Sequence, residues 1–396
     1  MKMVQINTSC GVGSTGKICV SISELLNEKK IENYILFSTL TNGYTQGISC
    51  TDRNYIRFQA LKSRILGNYG FNSNFATKRM IAHLERIKPD VVHLHNIHGH
   101  DCNLETLLGY LRQKKIKVYW TFHDCWAFTG YCPHFVAEKC EKWKAGCHAC
   151  NVYRSYSWFA DRSATLYERK KRSVEGLDLT VITPSQWLAD QVRQSFLKDF
   201  PIKVIHNGID LSIFQPTEST FREKHSLQDK KIVLGVSFGW GYKKGLDVFV
   251  RLARELDAEY QVVLVGTNSA MDKDLPSNII SVRRTQNQQE LAQIYSTADV
   301  FVNATREDTF PTVNMEALAC GTPVVTFRTG GSPEMIKEGT NGFVVACNDI
   351  SGIKSAIINA CGLSHAISAE CVKSAQKFDM NERFKEYVNL YVLGKI

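Results

Sequence analysis

The stretch Thr305-Arg-Glu-Asp-Thr-Phe-Pro-Thr-Val-Asn-Met-Glu-Ala-Leu-Ala-Cys-Gly-Thr-Pro-Val324 places two carboxylates, Asp308 and Glu316, at the two ends of a loop-to-helix transition. An acidic group at a helix mouth accepts hydrogen bonds from hydroxyls, while the free N–H groups of the first helical turn attract phosphate. A nucleotide sugar carries both needs. Two acids eight residues apart also occur as plain helix caps, so the pair has to be read with its surroundings.

Working outward, strand-like apolar runs at residues 3–7, 34–38, 91–95, 117–122 and 179–183, and again at 231–236, 261–265, 279–282, 300–303 and 323–327, alternate with amphipathic stretches. This pattern predicts an α/β chain of two doubly wound units, with parallel sheets covered on both faces. At 396 residues, 44% hydrophobic and 22% charged, the chain exceeds one hydrophobic core and suits two domains. A turn signal within residues 200–210 divides it into 1–200 and 201–378, followed by a helical stretch over 379–396. No apolar run reaches membrane-spanning length and no signal peptide is evident, so a cytoplasmic location is expected.

The net charge of +9 is concentrated in the first half, where residues 1–200 hold 27 Lys and Arg against 17 Asp and Glu. Aromatic and basic residues interleave in Arg53-Asn-Tyr-Ile-Arg-Phe-Gln-Ala-Leu-Lys-Ser-Arg64, and the charge continues through Lys78, Arg79, Arg86 and Lys88. Such a surface suits anionic lipid headgroups or a lipid diphosphate, and a solvated basic face is the competing reading.

Near the start, Gly11-Val-Gly-Ser-Thr-Gly16-Lys17 follows a strand and opens a helix. A dinucleotide site would want an acidic residue closing the second strand, which Tyr34-Ile-Leu-Phe-Ser-Thr39 lacks, and a P-loop would want a hydroxyl where Ile18 stands. What remains is a phosphate-binding turn approached closely at Gly13, or a tight turn with no ligand.

The segment 305–324 resembles the E-x7-E signature of retaining glycosyltransferases of family 4, which use the GT-B fold. Asp308 stands where the first Glu usually is, and Glu307 lies one residue out of register. The resemblance implies two Rossmann-like domains facing a cleft, with the C-terminal helix crossing back to the first. Asp308 would then meet the donor sugar and Glu316 the nucleotide ribose. Trp120-Thr-Phe-His123-Asp124 is similar to the family's T-x-H-D stretch, so His123 would donate to a sugar hydroxyl with Asp124 orienting its ring. Gly241-Tyr-Lys-Lys244-Gly245 is similar to its K-G pair. Lys244 becomes a diphosphate ligand, and Lys243 substitutes for an Arg that the family carries where Gly239 stands here. Thr329-Gly-Gly-Ser-Pro-Glu334 resembles the G-G-x-P-E turn, so amides at Gly330 and Gly331 would join Lys244 in stabilising charge on the departing diphosphate.

Five of 13 cysteines fall between Cys125 and Cys150. Cys147 and Cys150 have the spacing of a zinc knuckle half, and Cys132 and Cys140 complete a four-thiolate set. Such a set would pin an insertion, residues 125–150, that reads as too poor in apolar residues to pack itself. Structural zinc is the expectation, with redox-active or incidental thiols as the alternative. A catalytic metal is not expected.

The sequence therefore predicts a glycosyltransferase that moves a sugar from a nucleotide-diphosphate donor to an acceptor hydroxyl with retention. The acceptor expected is a lipid-linked saccharide of a surface polysaccharide, at the inner face of an anionic membrane. A GT-B sugar-nucleotide epimerase would share these motifs but need no acceptor. A zinc-containing, basic nucleic-acid-binding protein would not need the sugar-nucleotide motifs of the second half, and no nucleic acid is expected.

Overall fold

The computed structural model describes residues 1–394 and divides into two compact units, one of Met1–Ile205 with the chain from Phe384 on, the other of His206–Arg383. The first contains β1 (Lys2–Ile6), α1 (Gly13–Glu28), β2 (Glu32–Phe37), β3 (Gly47–Ser49), α2 (Arg53–Leu66), α3 (Asn74–Ile87), β4 (Val91–Leu94), α4 (Leu104–Gln113), β5 (Lys117–Thr121), α5 (Ser163–Val174), β6 (Leu179–Thr183), α6 (Gln186–Arg193) and β7 (Ile202–Val204). The second contains α7 (Phe221–Lys224), β8 (Lys231–Val236), α8 (Leu246–Glu255), β9 (Tyr260–Val265), β10 (Ile279–Val282), α9 (Gln288–Thr297), β11 (Val300–Asn303), α10 (Thr312–Ala319), β12 (Val324–Phe327), β13 (Gly342–Val345) and α11 (Ile350–Ala375). The chain closes with α12 (Met380–Leu393).

Each unit is a doubly wound parallel sheet, ordered β3-β2-β1-β4-β5-β6-β7 in the first and β10-β9-β8-β11-β12-β13 in the second. The central strands are buried on both faces, as in β4 (Val-Val-His-Leu) and β11 (Val-Phe-Val-Asn), so they read as apolar runs rather than alternations. β3 and β13 escaped the sequence reading because both are short strands at the edges of their sheets, where burial is partial and the apolar run correspondingly brief.

Residues of α12 pack into the first unit, with Tyr387 and Tyr391 buried. The Tyr391 hydroxyl lies 2.6 Å from His93 Nδ1, and Tyr119 donates to the Leu390 carbonyl at 3.2 Å. Burial drives the His93 pKa well below its ordinary value, so the helix is anchored on a neutral imidazole.

Candidate functional site

In the second unit the strand order reverses between β8 and β11, whose registers pair Leu234 with Phe301. In an open parallel sheet this reversal leaves a crevice beyond the C-terminal strand ends, where ligands gather. The chain leaving β8 makes a short 3-10 turn at Tyr242–Lys244 and passes through Gly245 at φ +76°. A Cβ there would stand 2.4 Å from the Ala304 carbonyl oxygen, so only glycine lets this turn pack against the chain leaving β11.

That packing is clasped by Arg306. Its guanidinium, almost fully buried, bonds both carboxylate oxygens of Asp247 at 2.8 Å and lies 3.9 Å over the Tyr242 ring. Its own N–H donates to the Lys243 carbonyl at 2.9 Å. A bidentate, charge-assisted pair of this kind fixes geometry as well as energy. The two lysines of the turn are thereby brought over the acidic loop, Lys243 Nζ 2.7 Å from Glu307 and Lys244 Nζ 3.0 Å from Asp308 Oδ2.

The remaining residues converge on the same loop. Gly330 packs against the Asp308 carbonyl, and the Gly331 N–H donates to the Thr309 carbonyl at 3.1 Å. Glu316 lies in the second turn of α10, not at its mouth, and the Tyr295 hydroxyl donates to its Oε2 at 3.1 Å. Burial, and then the adjacent Glu316 carboxylate, push the Tyr295 pKa well up and keep its proton in place. The structure thus brings Lys244, Asp308, Gly330 and Gly331 together around one loop, with Glu316 on the helix that follows it. Arg306, Asp247 and Tyr295 were not singled out from sequence. Arg306 sits inside the motif itself, but nothing in the spacing says that its partner is Asp247.

In the first unit the order reverses between β1 and β4. Gly13 opens α1 with no atom within 4 Å of where a Cβ would point, so backbone amides there are approachable. His123, at the end of β5, is reached by a defined hydrogen-bond chain. Gln5 Nε2 donates to the Cys19 carbonyl at 2.8 Å, leaving Oε1 to accept from His95 Nε2 at 3.2 Å. His95 Nδ1 then accepts from His123 Nε2, 3.1 Å away. The network assigns the His123 proton to Nε2, making Nδ1 its acceptor atom. Burial lowers its pKa to about 4, with Asp124 opposing, so the ring is neutral near pH 7. The N–H of His123 is thus directed at His95 in this arrangement.

Asp124 is held by His98, a residue the sequence reading passed over although the His-x-His-x-x-His-x-His spacing from His93 to His100 marks it. Asp124 Oδ2 lies 2.8 Å from His98 Nε2 and its Oδ1 accepts the Trp126 N–H at 2.8 Å. The Tyr69 hydroxyl meets His98 Nδ1 at 2.9 Å. Burial opposes charge on both partners, but their attraction prevails, raising the His98 pKa and holding Asp124 at about 2. The pairing favours the protonated form of His98 beside an ionised Asp124 in the interior.

The insertion corrects one expectation, that it is too poor in apolar residues to pack itself. Residues Trp126, Phe128, Tyr131, Phe135 and Trp143 are all buried, with the Trp143 ring centroid 4.8 Å from that of Phe135 and 5.2 Å from that of Phe128. The loop thus packs an aromatic core of its own. The buried Lys170 ammonium adds a strut, donating to the carbonyls of Trp126, Thr129 and Gly130 at 2.6, 3.0 and 3.2 Å. Cys132, Cys140, Cys147 and Cys150 line one small cavity. Among the described residues, however, no group of three or more His, Cys, Asp or Glu is arranged to hold a metal ion. The Cys147 sulfur accepts the Gly130 N–H at 3.1 Å, and Cys132 and Cys150 share a hydrogen bond. The expected structural zinc is therefore not shown among the described residues.

With this geometry in hand, comparison with known proteins is direct. Residues 20–213 match the model of Glycosyltransferase Family 4, and residues 230–362 match that of Glycosyl transferases group 1. The chain belongs to the family 4 glycosyltransferases. Over 99% of both chains this transferase is 23% identical to WcaC of Escherichia coli K12, a protein named for colanic acid biosynthesis. Its fold matches sucrose-phosphate synthase from Thermosynechococcus elongatus with a TM-score of 0.71 at 17% identity, covering 98% of each chain. HepE of Anabaena, solved with UDP-glucose, gives 0.66 at 15% identity over 98% of this chain and 99% of that one. The transferase has the GT-B fold, and it is a retaining glycosyltransferase.

Proposed function

We propose that this transferase moves a sugar from a UDP-linked donor to a hydroxyl of a lipid-linked saccharide, as a cytoplasmic step in building a surface polysaccharide. The donor assignment draws on HepE, which was solved with UDP-glucose, and the acceptor on the relative named for colanic acid biosynthesis. The observation that carries the reading is the Lys244–Asp308 pair beside the Gly330–Gly331 turn. Lys244 and the Gly330 amide bind the donor diphosphate while the Gly331 amide, bonded to the Thr309 carbonyl, holds the turn in place; Asp308 accepts from sugar hydroxyls, and Glu316, held by Tyr295, accepts from the ribose hydroxyls. In the first unit, amides at Gly13 take a phosphate and His123 a sugar hydroxyl.

In the transfer the bond from the anomeric carbon to the diphosphate oxygen breaks as the bond to the acceptor oxygen forms on the same face. The leaving diphosphate oxygen receives the acceptor proton. Positive charge at Lys244 favours this departure because the negative charge it meets grows along the reaction coordinate. Incubation with UDP-sugars, with and without a lipid-linked oligosaccharide, tests the reading by product analysis. A glycosylated acceptor with retained anomeric configuration is expected. An altered UDP-sugar formed without any acceptor would make the protein an epimerase.

A further inference from the structure

Helix α2 is built inside out. Its fully buried side chains are Gln59 and Ser63, one turn apart, whereas Phe58, Leu61, Ile65 and Leu66 are 61%, 46%, 44% and 42% exposed. A helix packed for stability alone would turn its apolar stripe inward. Here the inward polar face is used for hydrogen bonding: Ser63 Oγ takes the Asn72 amide at 2.7 Å and lies 3.2 Å from His100 Nδ1.

The exposed apolar face is continued by neighbouring chain. The Trp158 N–H donates to the Arg64 carbonyl at 2.8 Å, setting the Trp158-Phe159 tip, 49% and 73% exposed, against the end of the helix. At the other end the Phe75 ring, 57% exposed, lies 5.7 Å from Tyr55. Four cations, Arg53, Arg57, Lys62 and Arg64, project from α2, and the helix holds no Asp or Glu within its bounds.

We infer that α2 and the Trp158-Phe159 tip form a docking face for a bilayer containing anionic lipid. Apolar side chains flanked by cations, on a helix too polar to span a membrane, are the composition of an interfacial helix: the rings enter the acyl boundary while Lys and Arg meet headgroup phosphate. The same charge argues against a second copy as occupant, since an isologous contact through this face would set cation against cation. The inference deepens the proposed function and rests on its lipid-linked acceptor. Through Ser63 and His100, the docked helix leads directly to the histidine-bearing loop that follows β4.

The test is co-sedimentation of the full chain with vesicles of phosphatidylcholine, with and without phosphatidylglycerol, alongside UDP-sugar binding and melting temperature. The docking account expects wild type to pellet only with the anionic vesicles. Phe58→Ser with Ile65→Ser, and separately Arg57→Glu with Arg64→Glu, should each lower the bound fraction about tenfold with melting and UDP-sugar binding unchanged. It is overturned if wild type stays in solution with anionic vesicles, if the Phe58/Ile65 variant pellets like wild type, or if the chain sediments as a dimer that this variant dissociates. Failure here with donor binding intact removes the docking face alone, while absent UDP-sugar binding removes the donor reading of the proposed function.

Discussion

The Lys244 ammonium lies 3.0 Å from the Asp308 carboxylate, so each of the two groups proposed to hold the donor neutralises the other. In the proposed donor complex a diphosphate at Lys244 would compete with Asp308 and release it to accept from sugar hydroxyls. Binding of the leaving group and of the sugar are thereby coupled.

From this coupling, Lys244→Ala is expected to lower kcat/KM by about a hundredfold or more, because the lost charge acts on the leaving diphosphate in the transition state. The check is steady-state transfer kinetics, and the melting temperature should hardly move, since Asp308 is partly solvent-exposed.

Lys243→Ala should behave in the opposite way. Lys243 is well exposed, but its partner Glu307 is almost wholly buried, with Oε1 unpartnered among the described residues. Losing the lysine strands a buried carboxylate, and after allowance for solvent screening of Lys243 the expected cost is about 1 kcal/mol. Thermal denaturation should register this as a drop of about 2–4 °C, with a smaller effect on turnover than that of Lys244→Ala.

Tyr295→Phe tests whether Glu316 must be oriented. It removes one hydroxyl that donates to Glu316 at 3.1 Å and leaves the ring packing intact. The expected result is donor affinity weakened about five- to tenfold, the size of one ordinary hydrogen bond, measured by calorimetry.

The buried histidines fix a pH dependence of folding. The raised His98 pKa means its stabilising charge is complete below about 6.5 and is lost as pH rises through the raised value. Asp124, held at about 2, contributes above about 3.9, and that contribution is lost as pH falls toward 2. The depressed pKa values of His95 and His123 act on the acid side: the unfolded chain takes up their protons first, so stability falls as pH drops below about 6.5. Melting curves across pH should show losses on both sides, and Asp124→Asn should flatten the alkaline one and the part of the acid one below about 3.9, sparing the acid loss that His95 and His123 cause below about 6.5.

Much of this architecture was legible in sequence for a physical reason. Doubly buried strands such as β4 and β11 leave uninterrupted apolar runs, and the motif residues Lys244, Asp308 and Gly330 sit on loops whose order along the chain is the order of the fold. What stayed hidden depends on contacts distant in sequence. Arg306 and Asp247 are a clasp only once two strand ends meet, and the His123 N–H is directed at His95 only through a chain that begins at Gln5. The reading of the cysteine-rich loop as unable to pack itself misled because it counted cysteines without weighing the aromatic residues between them. Trp126, Phe128 and Trp143 give that loop a core which composition alone did not reveal.

The most direct test of the central claim is titration calorimetry of wild type and Glu316→Ala with UDP-, GDP- and other nucleotide sugars. The account predicts that wild type binds the UDP-linked class and that Glu316→Ala, still folded, loses it. A folded wild type that binds no nucleotide sugar, or a Glu316→Ala variant that binds as tightly as wild type, would contradict it.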